Sequence, residues 1–538
     1  MTAEEAVTCT ILSGPPAPAD VRPLEDILRP FTAGSRGIAL LAGDDRLELS
    51  YRELAERAAS AAVLLRRHGV ASGSLVAMTM ANDLPSILAL LGTWFAGGTV
   101  VSLPPVPRND RGWYARQFRP VLDAMGCVHL VAGEELATRF ADFVHIRKEV
   151  LADSERGLSV APDAAVPATA LIQFTSGSVG TPKGVAIGRH ALAGHIAAVI
   201  AAACYRDTDR IASWLPLYHD MGLVVIFLAG LALRIDQVLA KPTSFATRPA
   251  SWLLSLAEEQ ATVTAAPNFA YRLAAAVPYP AGLDLSRLRL CISGGERAVW
   301  QTLRDFHTAA APMGLDWRAL TPSYGMAENV VGLTNSPVGR GPRQGPDGHV
   351  SVGTPFCGVE VRVAAGLAPA PIEIRSDWLF SGYHTAAGFE PVAAGEWFDT
   401  GDAGFASDGE LYVLGRRNEV LAAAGRNVFA EDVESAAHDV CGYRVQACAA
   451  FRNPAAGGRF GLVAEANPRL VRGTDAASEL ARLIQVSVND MLGTRLTPVL
   501  VARLGTIPRT TSGKVQRAQC RSLYGAGEFS RRLIAELN

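Results

Sequence analysis

Gln173-Phe-Thr-Ser-Gly-Ser-Val-Gly-Thr-Pro-Lys-Gly-Val185 sets the terms on which the rest of the chain is read. Residues 168–174 are mostly apolar and read as a buried strand. That strand runs into Thr175, Ser176, Ser178 and Thr181, interleaved with Gly177, Gly180 and Gly184, with Lys183 alongside. A turn of this composition leaves backbone N–H groups and hydroxyls free to hold phosphate oxygens. Glycine suits it because a Cβ would block close approach and disfavour the positive-φ turns that aim those donors inward. The Gly-x-x-x-x-Gly-Lys-Ser/Thr spacing of a P-loop is absent. Pro182 argues against a smooth run into a helix.

Outward from this loop, helical and strand patterns alternate. Residues 50–65 have helical apolar spacing with Ser50 as N-cap. Residues 73–80 read as a strand, 84–96 as a helix and 100–103 as a strand, and the alternation continues to about residue 335. This predicts parallel α/β layers. Beyond residue 350, short β-type runs at 359–363, 371–375 and 410–413 lie between Gly and Pro signals and predict a small barrel or curled antiparallel sheet. After the charged connector Gly415-Arg-Arg-Asn-Glu419, a strand-like piece, a helix near 430–440 and mixed elements follow. The expected organisation is a loose leader over residues 1–22, a large N-terminal domain over 23–415 with its β-rich part at 350–415, and a small α+β C-terminal domain over 416–538.

The chain has 538 residues, 49% apolar and 19% charged, with a net charge of −2. Those values predict a multidomain globular enzyme and give no footing for nucleic acid. Eight cysteines are scattered without a Cys-x-x-Cys pair, so neither a zinc site nor a disulfide framework is expected, and reduced thiols in a cytoplasmic protein are. No signal-peptide pattern opens the chain. Residues 222–233 are the greasiest segment but too short for a membrane span, and are predicted to form a buried helix.

Five further constellations carry chemistry. Ser213-Trp-Leu-Pro-Leu-Tyr-His-Asp-Met-Gly-Leu223 sets a His–Asp pair in a turn, and Pro322-Ser-Tyr-Gly-Met-Ala-Glu-Asn329 supplies an aromatic face and a carboxylate. Glu396-Trp-Phe-Asp-Thr-Gly-Asp402 places Asp402 in a tight loop, and Leu411-Tyr-Val-Leu-Gly-Arg-Arg-Asn418 offers Arg416. Ile507-Pro-Arg-Thr-Thr-Ser-Gly-Lys-Val-Gln-Arg517 presents Lys514 on a Gly-containing loop. Together they suit ATP: donors for phosphates, an aromatic for adenine, an Asp for ribose, a Glu for Mg²⁺ and a Lys for developing charge. His219 and Asp220 lack further ligands at metal spacing, and no Gly-x-Ser-x-Gly elbow occurs.

With these motifs in this order, residues 25–525 resemble the adenylate-forming superfamily of acyl-CoA synthetases, peptide-synthetase adenylation domains and firefly luciferase. Leu103-Pro-Pro-Val-Pro107, the Trp-Leu-Pro-Leu-Tyr-His-Asp-Met-Gly-Leu phrase and Ala266-Pro-Asn-Phe-Ala-Tyr271 are most similar to its fatty acyl-AMP ligase branch. The resemblance implies that a carboxylate attacks the α-phosphorus of Mg-ATP, and that a thiol of coenzyme A or of a carrier protein's phosphopantetheine then displaces AMP. A mobile C-terminal domain turns between the two halves. It further implies that Thr175, Ser176, Gly177, Ser178, Gly180, Thr181 and Lys183 form the phosphate loop, with Thr175 and Glu328 serving Mg²⁺. Tyr324 would lie on adenine, Asp402 and Arg416 at the ribose, and Lys514 at the carboxylate and α-phosphate. His219, Trp214, Gly294 and Gly295 would sit near the acid, Asn418 at the hinge, and Gly425 on the thiol tunnel. For Trp214, plain core packing is an equal alternative.

Two departures from the resemblance stand out. Val179 replaces the usual Thr, removing a hydroxyl worth about 1 kcal/mol as a hydrogen bond. The stretch 329–349 lacks the extra segment that acyl-AMP ligases carry, which favours coenzyme A as acceptor. At the hinge, Asn418 stands where relatives usually carry Asp or Lys. Three activities are therefore expected in turn: an acyl-CoA ligase for a hydrophobic carboxylic acid, an acyl-AMP ligase that loads an acyl carrier protein, and a specialised relative limited to thioester formation.

Overall fold

The computed structural model describes residues 9–27, 36–43, 45–107, 112–152, 167–175, 182–364, 369–423, 426–510 and 513–538. Among them two large sheets dominate the N-terminal part. One has nine strands, with a parallel run Gly37–Ala42, Asp236–Ala240, Arg210–Ser213, Val263–Ala266, Leu290–Ser293 and Leu320–Tyr324, and antiparallel edges on both sides. The other has eight, with Thr169–Thr175, Thr99–Leu103, Leu75–Thr79, His129–Ala132 and Val144–Arg147 parallel. Their inner strands are buried on both faces, which explains why they read as continuous apolar runs.

Local signals place the helices that cover these sheets. Ser50 caps the helix Tyr51–Arg67, and Glu53 returns the bond to the Ser50 N–H in a full capping box. Asp83 caps Leu84–Phe95 by accepting from the Ser86 N–H. After Pro182 the chain enters the strand Lys183–Gly188, hydrogen-bonded back to Thr169–Thr175. The segment expected as one buried helix at 222–233 is helical and buried, but its first part, Met221–Leu228, winds as a wider π-helix. Such widening is frequent at functional sites.

A five-stranded antiparallel sheet follows, in the order Cys9–Ser13, Val359–Ala364, Ala370–Ser376, Phe398–Ser407, Glu410–Arg416. Its first strand corrects the loose leader expected at the N-terminus. Cys9–Ser13 pairs along the edge of Val359–Ala364 and buries Leu12. The driving force is satisfaction of an edge that would otherwise expose unpaired backbone groups. Residues 1–8 lie outside the described residues.

The chain leaves this sheet through the 3-10 turn Arg417–Glu419 and the hairpin Val420–Ala423 with Arg426–Phe429. A four-stranded sheet, Val445–Arg452, Phe460–Ala466, Val499–Ala502 and Leu533–Leu537, then packs against helices Ala430–Cys441, Gly473–Leu492 and Arg517–Gly525. Two apolar clusters of this unit draw on residues from Leu421 onward, and a small third joins Phe429 to Phe405, Tyr412 and Leu414 of the five-stranded sheet.

Candidate active site

A cleft of about 2120 Å³ runs between the ends of the two large sheets, the five-stranded sheet and the C-terminal unit. Its lining includes Thr175, Lys183, His219, Gly294, Gly295, Tyr324, Glu328, Asp402, Arg416, Asn418 and Lys514, drawn from widely separated segments. Ser176, Gly177, Ser178, Val179, Gly180, Thr181 and Gly425 lie outside the described residues.

Tyr324 ends the strand Leu320–Tyr324, and its hydroxyl donates to Asp402 Oδ2 at 2.6 Å. Arg416 pairs with Asp402 Oδ1 through Nε at 3.1 Å and donates from Nη1 to the Thr400 carbonyl at 3.0 Å. Burial raises the Asp402 pKa, and Arg416 and the Tyr324 hydroxyl oppose that. An ionised carboxylate has about four lone-pair sites, so these two partners leave acceptor capacity for a diol.

Glu328 lies on a strained turn. Val330 is buried with φ 64° and ψ −57°, and the Val331 N–H donates to the Asn329 carbonyl at 2.7 Å, a γ-turn that β-branched residues rarely adopt. The surroundings hold it there. Asn329 Nδ2 donates to the Gly332 carbonyl at 2.7 Å, and the Gly332 N–H donates to His195 Nε2 at 3.0 Å. Burial lowers the His195 pKa to about 3, which keeps that nitrogen an acceptor. Glu328 itself accepts the Tyr383 hydroxyl at 2.7 Å, while Lys183 Nζ sits 4.8 Å above the Tyr383 ring and 3.4 Å from Glu390 Oε2. Tyr383 thus links Lys183 to Glu328. It carries no motif signal in the sequence, nor does His195.

His219 Nδ1 lies 2.7 Å from Asp220 Oδ1 at the mouth of the π-helix. Burial would raise the Asp220 pKa, but His219 and Lys514 outweigh it and hold it below the ordinary value. Lys514 reaches in from the other unit. A Cβ on Gly295, which has φ 78°, would stand 3.8 Å from Lys514 Cε and 3.9 Å from Nζ. The Lys514 ammonium is therefore brought beside the Gly294–Gly295 turn. Apolar lining residues include Val199, Ala203, Val225, Ile292, Val331 and Phe356.

Of the two places expected for Trp214, it takes the core. It is absent from the cleft lining, stacks on Phe245 at a centroid distance of 4.1 Å, and meets Trp252 and Phe269 edge-on. An indole beside three other large rings gains more from stacking than from a solvated wall. Asn418 lies exposed in the 3-10 turn between the two units, and its neighbour Arg417 pairs with Asp399.

The arrangement offers an acceptor for a diol, a carboxylate for a cation, and an ammonium aimed at the same space from a second unit. That is a nucleotide site in chemical outline. The family of AMP-binding enzymes matches residues 33–384. The chain belongs to that family. This AMP-binding enzyme is 32% identical over 419 residues to long-chain-fatty-acid–AMP ligase FadD23 of Mycobacterium tuberculosis, covering 69% of this chain and 71% of the relative. Its fold superposes on McyG A-PCP complexed with phenylalanyl-adenylate at a TM-score of 0.86, with 24% identity over 97% of this chain and 86% of that one. It superposes on a fatty acyl-adenylate ligase structure from work on E. coli and L. pneumophila at 0.82, with 24% identity over 94% and 98%. The enzyme is an adenylate-forming ligase with an α/β fold.

Among the described residues, no three His, Cys, Asp or Glu side chains gather as a metal site. A Mg²⁺ would fit here as it does beside nucleotides, on one carboxylate together with phosphate oxygens. Likewise, no helix among these residues is long and apolar enough to cross a membrane.

Proposed function

We propose that this AMP-binding enzyme activates a hydrophobic carboxylic acid with ATP and passes the acyl group to the thiol of coenzyme A. The observation that carries the reading is the meeting of Lys514 from the C-terminal unit with Gly295, Tyr324, Asp402 and Glu328 of the N-terminal unit in one cleft that also has apolar walls. The Tyr324 ring takes adenine, and Asp402 accepts from the ribose hydroxyls while Arg416 holds its charge. Glu328, steadied by Tyr383, and Thr175 would hold Mg²⁺, which would neutralise phosphate charge. The acid enters past His219, and its carboxylate oxygen attacks the α-phosphorus as pyrophosphate leaves. Lys514 donates to the carboxylate and the α-phosphate, where negative charge gathers. In the second half, the thiol attacks the acyl carbon and AMP departs.

Two observations bear on the acceptor. The connection from Glu328 to the antiparallel strand Thr354–Pro355 is short, which favours coenzyme A. The similarity to an acyl-AMP ligase favours a carrier-protein phosphopantetheine as the second reading. ATP–pyrophosphate exchange over a panel of fatty and aryl acids tests the first half. Thioester formation with coenzyme A against a phosphopantetheinylated carrier protein decides the second. Exchange with no acid at all, together with thioester formed from a supplied acyl adenylate, would replace both readings with a thioester-forming specialist.

A further inference from the structure

The turn that receives Lys514 also carries a side chain that grips the unit bringing it. Arg297 lies two residues past Gly295, and its Nη1 donates to Asp432 Oδ1 at 2.6 Å and to the Leu414 carbonyl at 2.9 Å. Asp432 sits in the first turn of the helix Ala430–Cys441, where its other oxygen accepts from the Phe429 N–H at 2.9 Å. One carboxylate thus joins the helix start to the N-terminal unit. The same helix holds Arg517 through Glu431 at 2.8 Å and Glu434 at 2.7 Å, and Glu419 beside the inter-unit turn holds it at 2.8 Å. Arg517 stands three residues from Lys514, whose N–H donates to Thr510 Oγ1 at 3.0 Å. The contacts close a circuit from Gly295 through Arg297, Asp432, the helix and Arg517 to Lys514, and back to Gly295.

A second arginine crosses the same seam and makes a useful contrast. Arg272 reaches His438 at 3.3 Å and the Gln446 carbonyl at 3.1 Å, and no ion pair to a carboxylate is formed by it among the described residues. Removing one member of a half-buried, hydrogen-bonded ion pair costs more than removing a contact to neutral groups, because a charge is left behind without its partner. Of the two arginines Arg297 therefore makes the stronger grip, with His349 Nε2 3.7 Å from the same Asp432 carboxylate.

We infer that Arg297 is a positioning residue for acid activation: through Asp432 it holds the C-terminal unit in the pose that sets Lys514 beside Gly295. The inference rests on the two-step reading above and assigns a residue to the first step alone. Arg297 touches no reacting atom, so its loss acts by depopulating one pose. In Arg297→Met, ATP–pyrophosphate exchange should fall about tenfold or more, while thioester formation from a supplied acyl adenylate stays within about twofold. Arg297→Lys, which keeps a charge within reach of Asp432, should recover most of the loss. A label pair reads the pose without chemistry. Val128 and Val486 are exposed in the two units, so spin labels on cysteines placed there, with Cys9 and Cys204 replaced by Ser, report the distance between them. The wild-type sequence should give one dominant distance and Arg297→Met a broadened distribution. Exchange within about twofold of wild type in Arg297→Met would overturn the inference. So would an equal fall of both half-reactions together with a lowered melting temperature, or an unchanged distance distribution. If the wild type exchanges with no acid, the two-step reading falls, and the label distances alone decide the inference.

Discussion

The two units that meet at the cleft hold their side chains by different means. In the N-terminal unit, Tyr324 and Arg416 end strands of two sheets, Asp402 lies within the strand Phe398–Ser407 and not in the tight loop expected for it, and the three bond to one another at 2.6 and 3.1 Å. Their geometry is backed by a continuous apolar core. Lys514 instead belongs to the C-terminal unit, where its carbonyl accepts the Thr510 N–H at 2.8 Å, and its place beside Gly295 depends on how that unit sits. On the function proposed above, the groups that would hold a ligand are pre-organised within one core, whereas the group that would supply charge to one step is carried on a separate body. Changes in the first region should therefore move stability or both half-reactions, and changes in the second should split the halves.

The largest effect is expected from Trp214→Ala, which removes the centre of the stack with Phe245, Trp252 and Phe269. Denaturant unfolding should show a loss of about 3–5 kcal/mol, with the ranking of acids in exchange assays unchanged. A changed ranking at little cost in stability would return Trp214 to the pocket wall. Next, Lys514→Ala should lower exchange by about 100-fold or more while leaving thioester formation from a supplied adenylate within about threefold. Equal losses in both halves would erase the contrast between the units. Asp402→Ala should weaken both halves together by about tenfold or more, seen as a fall in kcat/KM for ATP and for the adenylate. A loss confined to one half would mean that the N-terminal site is rebuilt between steps.

The smallest expected effect is the pH response of the seam. His349 lies between Asp347, at 2.6 Å from Nδ1, and Asp432, at 3.7 Å from Nε2, with Arg297 Nη1 3.3 Å away. Burial and Arg297 work against its charge, but the two carboxylates outweigh them and raise its pKa above 6.5. A raised folded-state value means that its contribution is complete below about pH 6.5 and is lost as pH climbs through the raised value. Burial would raise the pKa of Asp432, but Arg297 and His349 hold it at about 2, so it stays charged throughout that window. Exchange should weaken by about two- to threefold from pH 6 to pH 8.5 relative to His349→Gln, in which this component of the profile should be flat.

Much of this was legible because its physics is local. The apolar run before Thr175 and the N-cap at Ser50 each act within a few residues and produced the elements they predicted, and after Pro182, which argued against a helix, the chain forms the strand Lys183–Gly188. The strand Cys9–Ser13 was not legible. Its partner lies more than three hundred residues away, and its reason to form is the open edge of Val359–Ala364. Trp214 shows a different limit: an aromatic beside His219 carries the same composition whether it faces a substrate or three other rings. Arg297 and Asp432 are 135 residues apart, and a charge pair across a seam has no periodicity to betray it.

The order of its motifs settled the family and the α/β class, because caps and breakers work through the backbone beside them. Packing settled which of those residues share a cleft, that Trp214 belongs to the core, and that Tyr383 and His195 brace Glu328 and its turn. It also joined Arg297 to Asp432 and so tied Lys514 to the turn it serves. These outcomes depend on burial and on charges brought close by chain segments far apart, and burial is a property of the folded assembly that no short window of sequence contains.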